Sequence, residues 1–499
     1  MTGWCHDNYS RSAVALTPSN LLVLMSDEHN PQAMGTAGHP LAWTPNLDRL
    51  AARGTRFTAA YTTSPICVPA RAGFATGKYQ HQIGYWDNAD AYDGAVPSWH
   101  HLMRERGHRV VSIGKLHFRG RPGDDHGFSE EILPMHIVDA IGDLKGLVRE
   151  NIPRRNGYDK LARFTGPGET PYDRYDRDVA AHAQDWLREA ARRRPQKPWA
   201  LFVSFVRPHF PLIAPAEFYA RYPLERIPLP KQYAPAERPD HPYLRDYDAC
   251  VAYDAGFGGD LDKVRRAVAS YLALVSSMDD NVGKVLRTLE ESGLASGTRV
   301  VYTSDHGDNV GARGLWGKST MYEESAGVPL IFAGPDIAAG AQCATPTSQV
   351  DLFPFFLECV GAPAPRDGRH GVSPLALAGG ADKDRAVLSE YHAVGSTSGV
   401  TMLRKGRWKY VYCVKYRPQL FDLQDDPEER TDRAEDLACR ATLLALEAEL
   451  RRFLDPAEVD ARCKRRQSEI LARHGGREAV LARGDLHYTP APGQTPDIS

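Results

Sequence analysis

Four short apolar runs recur along the chain, and each one ends on reactive side chains. Residues 21–25 (LLVLM) are followed by Ser26-Asp27-Glu28-His29, and residues 109–113 (RVVSI) by Gly114-Lys115-Leu116-His117. Residues 199–206 (WALFVSFV) lead into Arg207-Pro208-His209, and residues 299–303 (RVVYT) into Ser304-Asp305-His306-Gly307-Asp308. Nearly continuous apolar runs of this length read as buried strands of a mostly parallel sheet. Between them the spacing predicts helices over 44–54 and 178–194, the second ending in an Arg-rich last turn. Alternating strands and helices predict an α/β architecture. In open α/β sheets ligands collect beyond the carboxyl ends of the strands, where these four runs deliver Asp, Lys and His.

From Arg385 the pattern changes. Residues 386–391 (AVLSEY), 399–406 (GVTMLRKG), 407–414 (RWKYVYCV) and 419–423 (QLFDL) read as short antiparallel strands, with Lys405-Gly406 as a tight hairpin link. An acidic block at 425–429 and a charged helix over 437–453 follow. The expected organisation is a catalytic domain over 18–382, a C-terminal α+β subdomain over 383–470 and an extended tail over 471–499. The boundary falls in AGGADKD (378–384), and the Pro-rich tail is too polar to pack alone.

Composition narrows the function classes. In 499 residues, 61 Lys+Arg stand against 63 Asp+Glu, giving a net charge of -2 with 42% hydrophobic residues, which excludes a disordered chain and a coiled coil. A balanced charge also argues against a nucleic-acid binder, and the basic residues of 462–483 are interleaved with acids as on a solvated helix. The 8 cysteines form no CxxC pair, so neither a zinc site nor a disulfide framework is expected. The first twenty residues lack a basic start and apolar core, and no run is long enough to span a bilayer, so a cytoplasmic protein with no membrane association is expected.

One of those cysteines stands in Cys67-Val68-Pro69-Ala70-Arg71, a Cys-x-Pro-x-Arg pattern that composition would produce only about 0.07 times by chance. Its setting is SPICVPARAGFATGKY, preceded by SDEHN and TPNLDRLAARGTRF. After it come GKLHF, RPHFP, SDHGDNVGARGLWGKSTMYEESAGVPLIFAGP and RWKYVYC…QLFDLQDDPEE. In this order, across roughly residues 20 to 430, the chain resembles the type I, formylglycine-dependent sulfatases of the alkaline phosphatase superfamily. SPICVPAR, Asp87-Asn88-Ala89 and KYVYC place it nearest their choline-sulfatase-like branch.

The resemblance implies an alkaline-phosphatase-like α/β/α sandwich that hydrolyses a sulfate monoester to alcohol and inorganic sulfate. Cys67 would be converted to formylglycine by a formylglycine-generating enzyme, and its hydrate would attack sulfur. One divalent ion, calcium first and magnesium or manganese next, would be held by Asp27, Asp305, His306 and the modified Cys67, since hard cations prefer oxygen donors. Glu28 stands where many relatives carry a second Asp, and choline-sulfatase-like ones a Gln; it is left outside that set. Arg71 would hold the hydrate, and Lys115 and Lys318 the sulfate oxygens where charge shifts during transfer. His117 would take the proton that releases sulfate from the intermediate, and His209 would assist leaving-group departure. Asn88 would lie near the sulfate, and Glu390 is matched to the acid that faces a quaternary ammonium. His81, His100, His101, His108 and His126 read as ordinary residues. A homo-oligomer, dimer or tetramer, is also implied, with the tail over 471–499 reaching a neighbouring subunit as tails do in relatives.

Two alternatives stay open. A phosphonate monoester or phosphodiester hydrolase of the same superfamily shares formylglycine and metal but carries a Tyr-x-Thr type pair in place of Lys115-x-His117. A non-catalytic anion-binding scaffold would keep Cys67 unmodified. The absence of Trp from 128–177, a Trp-rich stretch in choline sulfatases, argues against choline sulfate and leaves aryl or other small alkyl sulfates as candidates.

Overall fold

The computed structural model describes residues 16–365 and 367–498. Cys5 and the start of the chain, on which the leader expectation rests, lie outside the described residues. The dominant element is an eight-stranded sheet built from β1 (Asn20–Asp27), β2 (Gly54–Phe57), β3 (Val110–Lys115), β4 (Glu130–Met135), β5 (Ala200–Pro208), β6 (Thr298–Ser304), β7 (Leu330–Ala333) and β8 (Ala341–Cys343). Its spatial order is β8-β2-β7-β6-β1-β5-β3-β4. All pairings are parallel except those of β7, which runs antiparallel to both β6 and β2.

The four apolar runs are four adjacent interior strands, β6, β1, β5 and β3, and their continuity reflects burial on both faces. In β1, Leu22 and Leu24 pack into one core with α3 (Pro171–Arg193) and α4 (Leu261–Glu291), and α1 (Pro45–Ala52) lies on the same side. Leu21, Val23 and Met25 pack into a second core with α2 (Cys67–Thr76) on the opposite face. A strand with no wet face has no reason to alternate polar and apolar residues. Helix α3 begins at Pro171, seven residues before the expected start. Thr170 and Asp173 form a capping box there, in a polar stretch whose apolar stripe is thin.

A second, antiparallel sheet contains β9 (Ala386–Tyr391), β10 (Val400–Lys405), β11 (Trp408–Cys413) and β12 (Gln419–Asp422) in sequential order. Lys405 pairs with Trp408, so the hairpin loop is Gly406-Arg407, one residue later than expected. Val400 and Met402 face the main body beside Tyr61 and Tyr247. Leu403 and Leu420 face the helices α5 (Arg440–Phe453) and α6 (Pro456–Arg473), through Leu450 and Cys463. The fold is therefore an alkaline-phosphatase-like α/β/α body with a smaller C-terminal α+β layer.

The chain from 471, expected to extend outward, carries α7 (Gly476–Ala482) and folds back on its own body. Asp485 is buried and accepts from Arg155 at 2.9 Å and Lys145 at 2.9 Å. Among the described residues no helix is long and apolar enough to cross a membrane.

Candidate active site

The carboxyl ends of β1, β3, β5 and β6 meet the start of α2. Cys67 is the first residue of that helix and Arg71 lies one turn further on, so the i, i+4 spacing puts both side chains on one face. Asp27 ends β1, Lys115 ends β3, Asp305 follows β6 and His209 follows β5. Gly307 lets this end close, since a Cβ there would stand 2.0 Å from the Glu324 carbonyl oxygen.

Arg71 organises the floor. Its Nε donates to Asp305 Oδ2 at 2.8 Å and its guanidinium to Asp27 Oδ2 at 3.0 Å. The Lys115 carbonyl at 2.7 Å and Ser204 Oγ at 3.0 Å take its remaining donors. The Lys115 ammonium lies 2.8 Å from Asp27 Oδ2. Burial would raise the Asp27 carboxyl, but Lys115 and then Arg71 outweigh it and hold Asp27 well below the usual range. Asp305 moves the other way, raised by burial and by the charge of Asp27.

Ligand atoms of Asp27, Cys67, Asp305 and His306 all fall within 4.8 Å of one another, and all four residues are buried. His306 Nδ1 lies 2.9 Å from the Gly307 carbonyl, which can only accept, so that nitrogen carries the proton. Nε2 faces Cys67 Sγ, 3.1 Å away, and lies 3.7 Å from Asp305 Oδ1. Cys67 Sγ also lies 3.7 Å from Asp27 Oδ1 and 3.2 Å from Lys318 Nζ. Burial, then Asp27, push its thiol up to about 11, so as plain cysteine it would not be a thiolate at neutral pH.

Above this floor lies a cavity of about 130 Å³. Cys67, Asn88, His117, His209 and Lys318 line it, together with Glu28. Asn88 Oδ1 accepts from the Val68 backbone at 3.2 Å. His117 has φ 53 and both ring nitrogens buried without a partner. Its backbone N–H donates to the Met135 carbonyl at 2.8 Å. His209 anchors Nδ1 on the Phe210 carbonyl at 2.7 Å and turns Nε2 toward Glu28 Oε2 at 3.3 Å. Both imidazoles are pulled well down, by burial first and then by Lys115 at His117 and Lys318 at His209. Glu28 is raised by burial, accepts from Lys318 at 3.1 Å and keeps Oε1 without a partner. Its φ of 69, with those of His117 and Ser319, concentrates backbone strain around the cavity.

Ten of the eleven candidate residues are thus brought together. The exception is Glu390, which is fully buried away from the cavity. Its Oε1 takes the His81 Nδ1 contact at 2.8 Å and its Oε2 lies 3.7 Å from His392 Nε2. Burial would raise its carboxyl, but His81 and His392 bring it down to about 2. The expectation that Glu390 faces the substrate is corrected: it is an internal ion-pair member. Glu390→Gln is expected to leave KM for a sulfate ester within about twofold and to lower stability by about 1–3 kcal/mol, read from denaturant unfolding.

Several contributors were not foreseen. Gln349 donates to the Ser304 and Asp305 carbonyls at 2.8 and 2.9 Å, fixing the loop that carries His306. Phe210, Tyr247, Tyr253 and Tyr488 give the cavity its aromatic wall, and residues 485–489 of the tail close one side. Phe210 sits in RPHFP beside His209, whereas no local motif marks the others, which arrive from distant parts of the chain.

Comparison with known proteins bears on this geometry. The chain matches the sulfatase family over residues 19–362, most of its length. It belongs to that family. A further match, to the C-terminal region of N-sulphoglucosamine sulphohydrolase, covers residues 311–455. The sulfatase is 35% identical to the choline-sulfatase of Rhizobium meliloti (strain 1021) over 83% of this chain and 82% of that one. It is 28% identical to arylsulfatase K of Rattus norvegicus over 92% and 82% of the two chains. Among solved structures, the phosphonate monoester hydrolase of Agrobacterium radiobacter superposes with a TM-score of 0.69 at 21% identity, over 87% of this chain and 94% of that one. The family assignment makes the sulfatase a sulfuric ester hydrolase.

Proposed function

We propose that the sulfatase cleaves a small sulfate monoester with Cys67 converted to formylglycine and one divalent cation bound by Asp27, Asp305 and His306. The observation that carries this reading is the placement of Cys67 Sγ, 3.1 Å from His306 Nε2 and 3.2 Å from the Lys318 ammonium. The donor set fits a cation: two buried carboxylates stand together with the imidazole of His306, and the charge of Asp27 raises Asp305 where no cation offsets it. Predominantly oxygen donors favour calcium, with magnesium and manganese next. Such an ion supplies Lewis-acid polarisation, and formylglycine supplies a geminal diol that can shed sulfate without a second nucleophile.

The side chains do the remaining work. Lys318, at the cavity wall, pairs with a sulfate oxygen, and Asn88 supplies a neutral contact beside it. Lys115 and Arg71 hold Asp27 ionised from below, which keeps the floor ready for a cation. His117, neutral and unpartnered, is set to accept a proton at a ring nitrogen. His209 presents Nε2 to the ester oxygen, and an incoming sulfate favours its protonated form. His209→Ala is expected to lower kcat about 10²–10⁴-fold for alkyl sulfates with poor leaving groups and far less for nitrophenyl sulfate. Equal losses on both substrates would refute the assignment.

The relative named a choline-sulfatase supports a small substrate, and the phosphonate monoester hydrolase fold keeps one competitor in play. The Lys115-x-His117 pair favours sulfate. Rates on matched nitrophenyl sulfate and nitrophenyl phosphonate decide between them: sulfate is expected to be faster, and a much faster phosphonate reaction would overturn this reading. A formylglycine-generating enzyme is the proposed maturation partner.

A further inference from the structure

We propose that His126, Glu131 and His136 form a second metal site, separate from the sulfatase centre, for a divalent transition ion of the zinc type. None of the three lines the catalytic cavity. Their ligand atoms lie within 4.8 Å of one another. His126 Nδ1 is 2.9 Å from Glu131 Oε1, and His136 Nε2 is 3.3 Å from Glu131 Oε2. Donors around a tetrahedral ion with bonds of about 2.0–2.1 Å stand about 3.3 Å apart, so little movement is needed to admit one. Two imidazoles with one carboxylate are a borderline donor set, suited to zinc, cobalt or nickel rather than to calcium.

The backbone departs from regular geometry to build this cluster. Glu131 lies on β4, the edge strand, and His136 follows its end five residues later. In a regular strand that odd spacing would send the two side chains to opposite faces. The register between β3 and β4 shifts here: Ile113 pairs with Ile132 but Lys115 with Met135, so β4 carries one extra residue. The extra residue reverses the alternation and returns His136 to the face of Glu131. Leu133 accommodates it at φ 50, a left-handed conformation that a branched side chain adopts only under strain. Gly120 contributes as well, since a Cβ there would stand 2.5 Å from His136 Cγ.

Electrostatics and access are compatible with an ion. Burial would raise Glu131, but the two imidazoles bring it down to about 2, so the carboxylate is anionic. His126 is buried beside Phe118, whereas the side chains of Glu131 and His136 are 23% and 22% exposed. An ion can enter from that side and keep water in a remaining position. Binding there would tie edge strand β4 to the loop before it. Met135, adjacent to His136, offers the carbonyl that holds the Leu116 and His117 N–H groups at 3.1 and 2.8 Å.

Zinc titration by calorimetry of the full calcium-saturated chain tests this, with cobalt as a visible-absorption probe. The wild type is expected to take up one more equivalent of zinc than Glu131→Gln or His136→Ala. Cobalt should give a d–d band in the wild type that both variants lack. Circular dichroism confirms that each variant is folded, and nitrophenyl sulfate turnover is expected to stay within about twofold of wild type. Equal zinc stoichiometry in the three proteins, or a cobalt band retained in both variants, would overturn the site and leave a hydrogen-bonded His–Glu–His triad only.

Discussion

Cys67→Ala is expected to abolish turnover, with kcat for nitrophenyl sulfate falling by at least about a thousandfold. Fold and stability should change little, because the thiol fills a small buried position on a helix made almost entirely of buried residues. The same experiment has a chemical arm. Intact-mass measurement of active wild type should give a value about 18 Da below that of the encoded chain, the difference between cysteine and formylglycine. Active protein with an unmodified Cys67 would sink the mechanism while leaving the sulfatase fold intact. The thiol's own environment argues for conversion: held near 11 by burial and by Asp27, it has almost no thiolate to offer at neutral pH. Lys318 at 3.2 Å and His306 at 3.1 Å are better matched to an oxygen nucleophile and its anion.

The second large effect lies beneath the site. Arg207→Met is expected to lower unfolding free energy by about 3–5 kcal/mol, because Asp173 would be left charged and buried without its partner. Arg207 is buried and meets both Asp173 oxygens at 2.7 Å. It also donates to Thr170 Oγ1 at 2.6 Å and to the His209 and Pro211 carbonyls at 2.8 and 3.0 Å. One guanidinium thus ties the N-terminus of α3 to the loop that presents His209. Adding Asp173→Asn should recover part of the loss, since the orphaned charge is then removed. Chemical denaturation of the three proteins measures this. Strict additivity of the two substitutions would show that the pair is not coupled.

What could be read from the sequence follows from how local each signal is. β1, β3, β5 and β6 announce themselves because strands buried on both faces need apolar residues at every position, and the reactive groups follow within four residues. The spacing of Cys67 and Arg71 likewise contains its own geometry, one helical turn. β4 is hidden in the sequence, because an edge strand written EEILPM opens on two glutamates and contains Pro134. β7 lay unnoticed within GVPLIFAG, since its antiparallel pairing to β6 and β2 is a property of the assembled sheet. Glu390, in SEY, is matched to a substrate-facing acid only by family resemblance. Its pairing with His81, more than 300 residues away, is invisible until the layers are stacked. The His126 cluster is hidden for the same reason: its partners acquire a common face only through the register shift at Leu133.

The cavity's floor and its wall come from opposite ends of the chain. Cys67 begins α2, while residues 485–489 close one side over it. At about 5–20 residues per second of synthesis, roughly 20–80 s separate the emergence of one from that of the other. During that interval the helix around Cys67 has no finished pocket above it, and afterwards the side chain is sealed from any large catalyst. On the proposed conversion of Cys67, order along the polypeptide would act as a clock: the modifying enzyme would have its opportunity before residues 485–489 are made.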